Sequence, residues 1–152
     1  EDYLRAHFAR IGAGDYAGFL AYVPRNAATI AAMQDARLVV RDARQVATVV
    51  GFGPRFLHST GQAYKGGPDS GVFLQITADD AQDLPVPGQS ASFGIIKAAQ
   101  ARGDFGVLTQ NGVHSFNAVQ QLKWASNNEP MAWPMFSTAS TVSVLPTMPR
   151  MS

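Results

Sequence analysis

Three short apolar runs dominate the sequence: Tyr16–Val23 (YAGFLAYV), Val46–Phe52 (VATVVGF) and Gly71–Thr77 (GVFLQIT). Near-continuous apolar strands are expected where both faces of a sheet are covered, which is the situation of a parallel sheet. The intervals between them read as helices. Asn26 or Thr29 can cap a helix reaching about Asp42, with Ile30, Met33, Leu38 and Val39 at apolar positions. Asp2–Ile11 reads as a short opening helix closed by Gly12 and Gly14. Ser92–Arg102 reads as a further helix stopped by Gly103, with Asp104–Leu108 as a last short strand and Asp79–Ser90 as a proline-bearing loop. Strand and helix alternate, so the expected class is α/β with a largely parallel sheet.

With 152 residues, 46% hydrophobic and 15% charged, one domain is expected. Folding at this size buries about two-thirds of the unfolded surface. A net charge of +1, with three lysines scattered and nine arginines in no basic run, leaves no electrostatic footprint for nucleic acid or an acidic membrane surface. The absence of cysteine excludes disulfides, zinc–thiolate sites and iron–sulfur clusters. No apolar stretch reaches membrane-spanning length, and EDYLRAHFAR reads as a charged amphipathic segment rather than a signal peptide. The expectation is a cytoplasmic, soluble protein.

The segment Gly51–Gly67 (GFGPRFLHSTGQAYKGG) is the most informative for function. On a helical wheel over Pro54–Lys65, Phe56, Leu57, Thr60, Ala63 and Tyr64 share an arc of about 120°. His58, Gln62 and Lys65 share about 60° on the opposite side. One face is built to pack, and the other presents an imidazole, an amide and an ammonium. A solvated helix face ordinarily carries Glu, Lys and Arg, whereas this one carries only Lys65. Gly61 inside it costs about 1 kcal/mol against Ala, which close approach of a ligand or another backbone would explain.

Other candidates read more plainly. Asp79–Asp80 is expected to cap a helix or sit in a solvated loop, with no metal site. Gly51-Phe-Gly53-Pro54 lacks the rest of a nucleotide-binding motif. Lys65-Gly66-Gly67-Pro68 reads as a turn before an anion nest. Ser59 lacks the strand–turn–helix context of a serine nucleophile, and His7 reads as a surface residue.

Composition changes after residue 110. From Asn111 onward only Lys123, Glu129 and Arg150 are charged, while both tryptophans and four of the five methionines fall there. Residues 111–152 are expected to form an irregular tail, with one helix at 115–125, that packs against something outside the chain. A reading frame displaced near residue 111 would produce the same discontinuity.

The strings GPRFLHSTGQ, KGGP and GVFLQIT, followed by SFGIIKAAQARGDF at Ser92–Phe105, resemble the C-terminal sugar isomerase (SIS) domain of phosphoglucose isomerases. They are most similar to the form found in bifunctional transaldolase/phosphoglucose isomerases. The resemblance covers residues 1–110 and implies a three-layer, SIS-like (flavodoxin-like) fold that interconverts glucose 6-phosphate and fructose 6-phosphate without a cofactor. It implies a phosphorylated hexose as ligand, a preceding SIS or transaldolase domain as partner, and allows a homodimer. Position by position, His58 becomes the ring-opening acid/base, with Ser59, Gln62 and Lys65 as substrate-binding residues. The Val113–Asn117 string followed by Lys123 is similar to the family's late catalytic-lysine segment, two residues short, which offers Lys123 as a second catalytic group. In the family the carboxylate base and the main phosphate-binding segment lie in the preceding sugar isomerase domain, so the chain resembles half an active site. A phosphosugar-binding module without catalysis, or a structural fragment of a larger enzyme, remains the alternative.

Overall fold

The computed structural model describes the backbone over residues 2–111, 119–124 and 143–144, and side-chain surroundings over 3–110. Helix α1 (Asp2–Phe8) leads into strand β1 (Tyr16–Tyr22). Helix α2 (Ala27–Arg44) then returns the chain to strand β2 (Ala47–Phe52). A 3-10 turn (Arg55–His58) and helix α3 (Thr60–Gly66) precede strand β3 (Gly71–Ala78). Helix α4 (Phe93–Asn111), strand β4 (Val119–Trp124) and the short strand β5 (Ser143–Val144) follow. The sheet order is β2-β1-β3-β4-β5. Strands β2, β1, β3 and β4 run parallel and β5 antiparallel.

Strand β1 is the centre. Phe19 pairs with Val50 of β2 on one side and Leu74 of β3 on the other, and every residue from Ala17 to Tyr22 is buried. Alternate residues feed two cores, as a period of two requires. Ala17, Phe19 and Ala21 join Val72, Leu74 and Ile76 under α1 and α2, whose Leu4, Phe8, Met33 and Ala36 fill that face. Leu20, Tyr22 and Phe73 pack on the other face with Phe56, Ala101 and Leu108. The connection after β1 therefore crosses one face, whereas those after β2 and β3 cross the other.

Local signals explain the elements that match the sequence reading. Asn26 caps α2, its Oδ1 accepting from the Thr29 amide at 2.8 Å. Gln45 closes α2 in the left-handed region at φ 53°. Arg44 then donates to the carbonyls of Ala9 and Ile11, tying the end of α2 to the exit of α1.

Four expectations change. Asp104–Leu108 is not a strand but the second half of α4, which runs through Gly103 and Gly106. Ala101, Asp104 and Leu108 are buried along one side of that helix, and this burial outweighs the roughly 1 kcal/mol that each interior glycine costs. Of the helix expected at 115–125, the described residues Val119–Trp124 form β4 instead, where pairing with the open edge of β3 decides the conformation over local preference. Strand β2 is the sheet edge and only half-buried, so it is not covered on both faces. His7 is 3% exposed rather than on the surface. Among the described residues no helix is long and apolar enough to cross a membrane.

Burial pushes the His7 pKa from 6.5 down to about 4; the Phe73 backbone opposes the drop and Arg10 adds to it. The unfolded chain thus binds the extra proton between those values. The neutral ring's stability is complete above pH 6.5 and is lost as the pH falls toward 4, a swing of roughly 3 kcal/mol. Urea unfolding at about pH 7 and about pH 4.5, on either side of most of that titration, is expected to show this loss in the wild type. Most of it should disappear in His7→Met.

Candidate functional site

In an open α/β sheet, ligands bind outside the carboxyl ends of the strands, where neighbouring connections leave toward opposite faces. Here β1 sends its chain to one face, while β2 and β3 send theirs to the other. A crevice is therefore expected on each side of the carboxyl end of β1. Both are present.

The first, between the ends of β1 and β2, is a cleft of about 570 Å³ lined by Arg25, Gly53, Arg55, Phe56, Ser59 and Thr60 among others. Its lining holds two guanidiniums, two hydroxyls and no carboxylate. The Arg25 guanidinium lies 5.7 Å from the centroid of the Phe52 ring, which orients it by cation–π attraction. The second, between β1 and β3, is about 440 Å³ and is lined by Tyr22, Asp79, Asp80, Asp83, Lys97 and Arg102 among others. Lys97 is tied there to Asp80 and to the Ala78 carbonyl. Asp83 accepts from Ser92 Oγ and from the Gly94 amide at the start of α4, bonds that hold its carboxyl below the usual carboxylate range.

The wall of the first cleft is set by contacts that leave no room for a side chain. A Cβ on Gly53 would stand 2.5 Å from Cε1 of Tyr22, and one on Gly61 would stand 2.8 Å from the Phe56 carbonyl oxygen. Tyr22 packs edge-on against Phe56 with centroids 5.6 Å apart. Gly61 is buried because the helix leans its backbone onto the preceding turn. Close backbone approach, one of the two explanations the sequence left open, accounts for that glycine.

The segment from Pro54 to Lys65 is not one helix. The 3-10 turn ends at His58, Ser59 departs from helical geometry, and α3 restarts at Thr60. Thr60 and Ala63 are exposed instead of packing, because the break at Ser59 turns them away, while Tyr64 still packs against Phe56 and Phe73. His58 is exposed at the end of the turn. Ser59 lines the cleft, its Oγ donating to the Phe56 carbonyl at 3.3 Å. Gln62 Nε2 donates back to the Leu57 carbonyl at 2.7 Å, bracing the turn. Lys65 Nζ lies 2.7 Å from Oδ1 of Asp104 on α4. The Lys65-Gly66-Gly67 stretch closes α3, with the Gly67 amide donating to the Ala63 carbonyl.

The structure thus brings Ser59 into the cleft lining, leaves His58 exposed at the end of the turn and outside that lining, and ties Gln62 and Lys65 to other partners. Lys123 lies on β4 in register with Thr77 of β3, and its side chain lies outside the described residues. The string at Val113–Asn117 lies outside them altogether. Asp79 and Asp80 occupy an exposed loop, and Asp83 does the capping. Among the described residues no three His, Asp or Glu side chains gather as a metal group.

Sequence reasoning missed Arg25, Arg55, Tyr22 and Asp104. The two arginines follow the apolar runs that become β1 and β2, which is where ligand-contacting loops begin. That position was the available signal. Tyr22 and Asp104 are separated by 82 residues and carry no local signature.

No protein-family model matches the chain, and no curated protein matches it. A solved structure does: a hypothetical protein from Thermus thermophilus, 16% identical, with a TM-score of 0.57. The match covers 80% of this chain and 32% of that one, so the chain spans about a third of that protein's length. At this identity the likeness shows the α/β fold alone.

Gly61→Ala improves helix propensity yet places a methyl against the Phe56 carbonyl. The expected result is destabilisation of about 1–3 kcal/mol rather than a gain. Thermal or urea unfolding of the variant beside the wild type measures the sign.

Proposed function

We propose that this chain is the sugar-isomerase-type domain of an enzyme interconverting glucose 6-phosphate and fructose 6-phosphate. The observation that carries the reading is the cleft at the carboxyl end of β1, where Arg25, Arg55, Ser59 and Thr60 meet without a carboxylate. Paired guanidiniums and hydroxyl donors suit a phosphate dianion, and Arg is the side chain whose fork matches phosphate oxygens. His58 is exposed and immediately precedes Ser59, which lines the cleft. Opening a pyranose ring requires one proton delivered to the ring oxygen and one withdrawn from the anomeric hydroxyl. An imidazole can do both near neutral pH. The shuttle between C1 and C2 needs a carboxylate, supplied in this reading by a preceding SIS domain. Lys123 as a second catalytic group, a homodimer, a cytoplasmic setting and a place in glycolysis and gluconeogenesis belong to the same proposal.

One observation favours a second reading, a phosphosugar-binding module without catalysis. The cleft lining contains cations and hydroxyls but no acid to act as the base. The two readings share the phosphate site and differ over His58.

Calorimetric titration with fructose 6-phosphate and a coupled isomerase assay separate them. Binding is expected in the isolated chain, and Arg55→Ala or Arg25→Ala should weaken it about 10- to 100-fold, the loss of one charge-assisted contact. With the partner domain restored, His58→Ala should lower kcat by about 100-fold or more and leave the dissociation constant unchanged. Binding without turnover in the reconstituted protein would select the module. Absence of binding would overturn both.

A further inference from the structure

Asp104 does not line the Arg25–Arg55 cleft, yet its carboxylate stands behind both segments that form one wall of it. Oδ1 lies 2.7 Å from Lys65 Nζ, and the Asp104 side chain is 1% exposed. Oδ2 accepts from the Tyr22 hydroxyl at 3.4 Å. Burial, with the nearby Asp104 charge, raises the Tyr22 pKa and keeps that phenol protonated as a donor. Lys65 belongs to α3, whose N-cap and first residue are Ser59 and Thr60 of the cleft. Tyr22 packs on Phe56 and against Gly53, which belong to the other stretch of the same wall.

Helix α3 has seven residues and no side-chain hydrogen bond at its N-cap. So short a helix is not stable by itself in water, and its place depends on what it is tied to. Its ties include the Tyr64 ring against Tyr16, Phe56 and Phe73, the Gly61 backbone against Phe56, and the Lys65–Asp104 pair. The last is an ion pair that reaches α4.

We infer that Asp104 is a positioning residue: from α4 it holds α3 through Lys65 and the Gly53–Phe56 turn through Tyr22. It thereby fixes the spacing between the hydroxyls of Ser59 and Thr60 and the guanidinium of Arg55. Lys65 is then a strut and not a ligand of the phosphate. The ligand part of this inference rests on the proposed function; the strut is a property of the chain alone.

The test combines amide hydrogen exchange with fructose 6-phosphate titration on the whole chain. The variants are Asp104→Asn, Lys65→Met, the two together, and Lys65→Arg. Exchange over Gly53–Gly66 should quicken by about tenfold in each single variant while β1 and α2 keep wild-type rates. Lys65→Arg should restore it. Affinity for fructose 6-phosphate should fall in both single variants, and the double variant should bind no more weakly than the weaker of them, as when one shared interaction is lost. If Lys65 instead contacts the phosphate, Asp104→Asn frees the ammonium and affinity holds or rises, which overturns the inference. Exchange that quickens equally in β1 and α2 also overturns it, because Asp104 would then hold only the fold. Should Asp104→Asn fail to fold, Lys65→Met against Lys65→Arg decides the matter, the Lys65 side chain being 22% exposed. If the wild type takes up no fructose 6-phosphate, the proposed function fails and the exchange pattern alone judges the strut.

Discussion

The structure depends on β1 being paired on both edges and covered on both faces. A strand in that position must satisfy its amides and carbonyls through β2 and β3 and offer apolar side chains alternately to two cores. Once β1 is central, α2 takes one face, and the connections after β2 and β3 take the other. The two crevices flanking the carboxyl end of β1 follow from that divergence. Function in such a sheet is a matter of which side chains the loops carry into those crevices.

The parts of the fold legible in the sequence are those whose causes are local. Strands β1 and β3 are short apolar runs, and α2 carries its own cap at Asn26. Of the apolar positions expected in α2, however, only Met33 is buried and Val39 is exposed, the inward face being Thr29, Ala32, Met33, Ala36 and Val40. Where the cause is distant, the sequence misleads. Gly103 reads as a stop, but the sheet on which Ala101 and Leu108 lie carries α4 through it and through Gly106. His7 sits between Arg5 and Arg10 and looks solvated, but it faces inward with Leu4 and Phe8. Residues Val119–Trp124 read as helix because the open side of β3 is invisible to any local window.

The candidate site divides in the same way. The segment containing His58 and Ser59 draws attention from its glycine framing and polar stripe, and Ser59 does line a cleft. The stripe itself is interrupted. Gln62 braces the turn, and Lys65 pairs with an aspartate on a different helix. Helical-wheel reasoning assumes one continuous helix, and the irregular Ser59 between the 3-10 turn and α3 breaks that assumption. The arginines beside the cleft gain their meaning only when the ends of β1 and β2 are placed side by side.

The Asp83 cap on α4 decides which crevice is open to a dianion. A helix N-terminus with free amides attracts phosphate, but the Gly94 amide is already engaged by a carboxylate of the chain itself. Any anion entering from the β3 side meets Asp79, Asp80 and Asp83, against Arg102 and a Lys97 already paired with Asp80. The protein thus carries its own resident counter-anion in one crevice and leaves the other electropositive. On charge alone a dianion is favoured on the β2 side, by repulsion from the β3 side as much as by attraction.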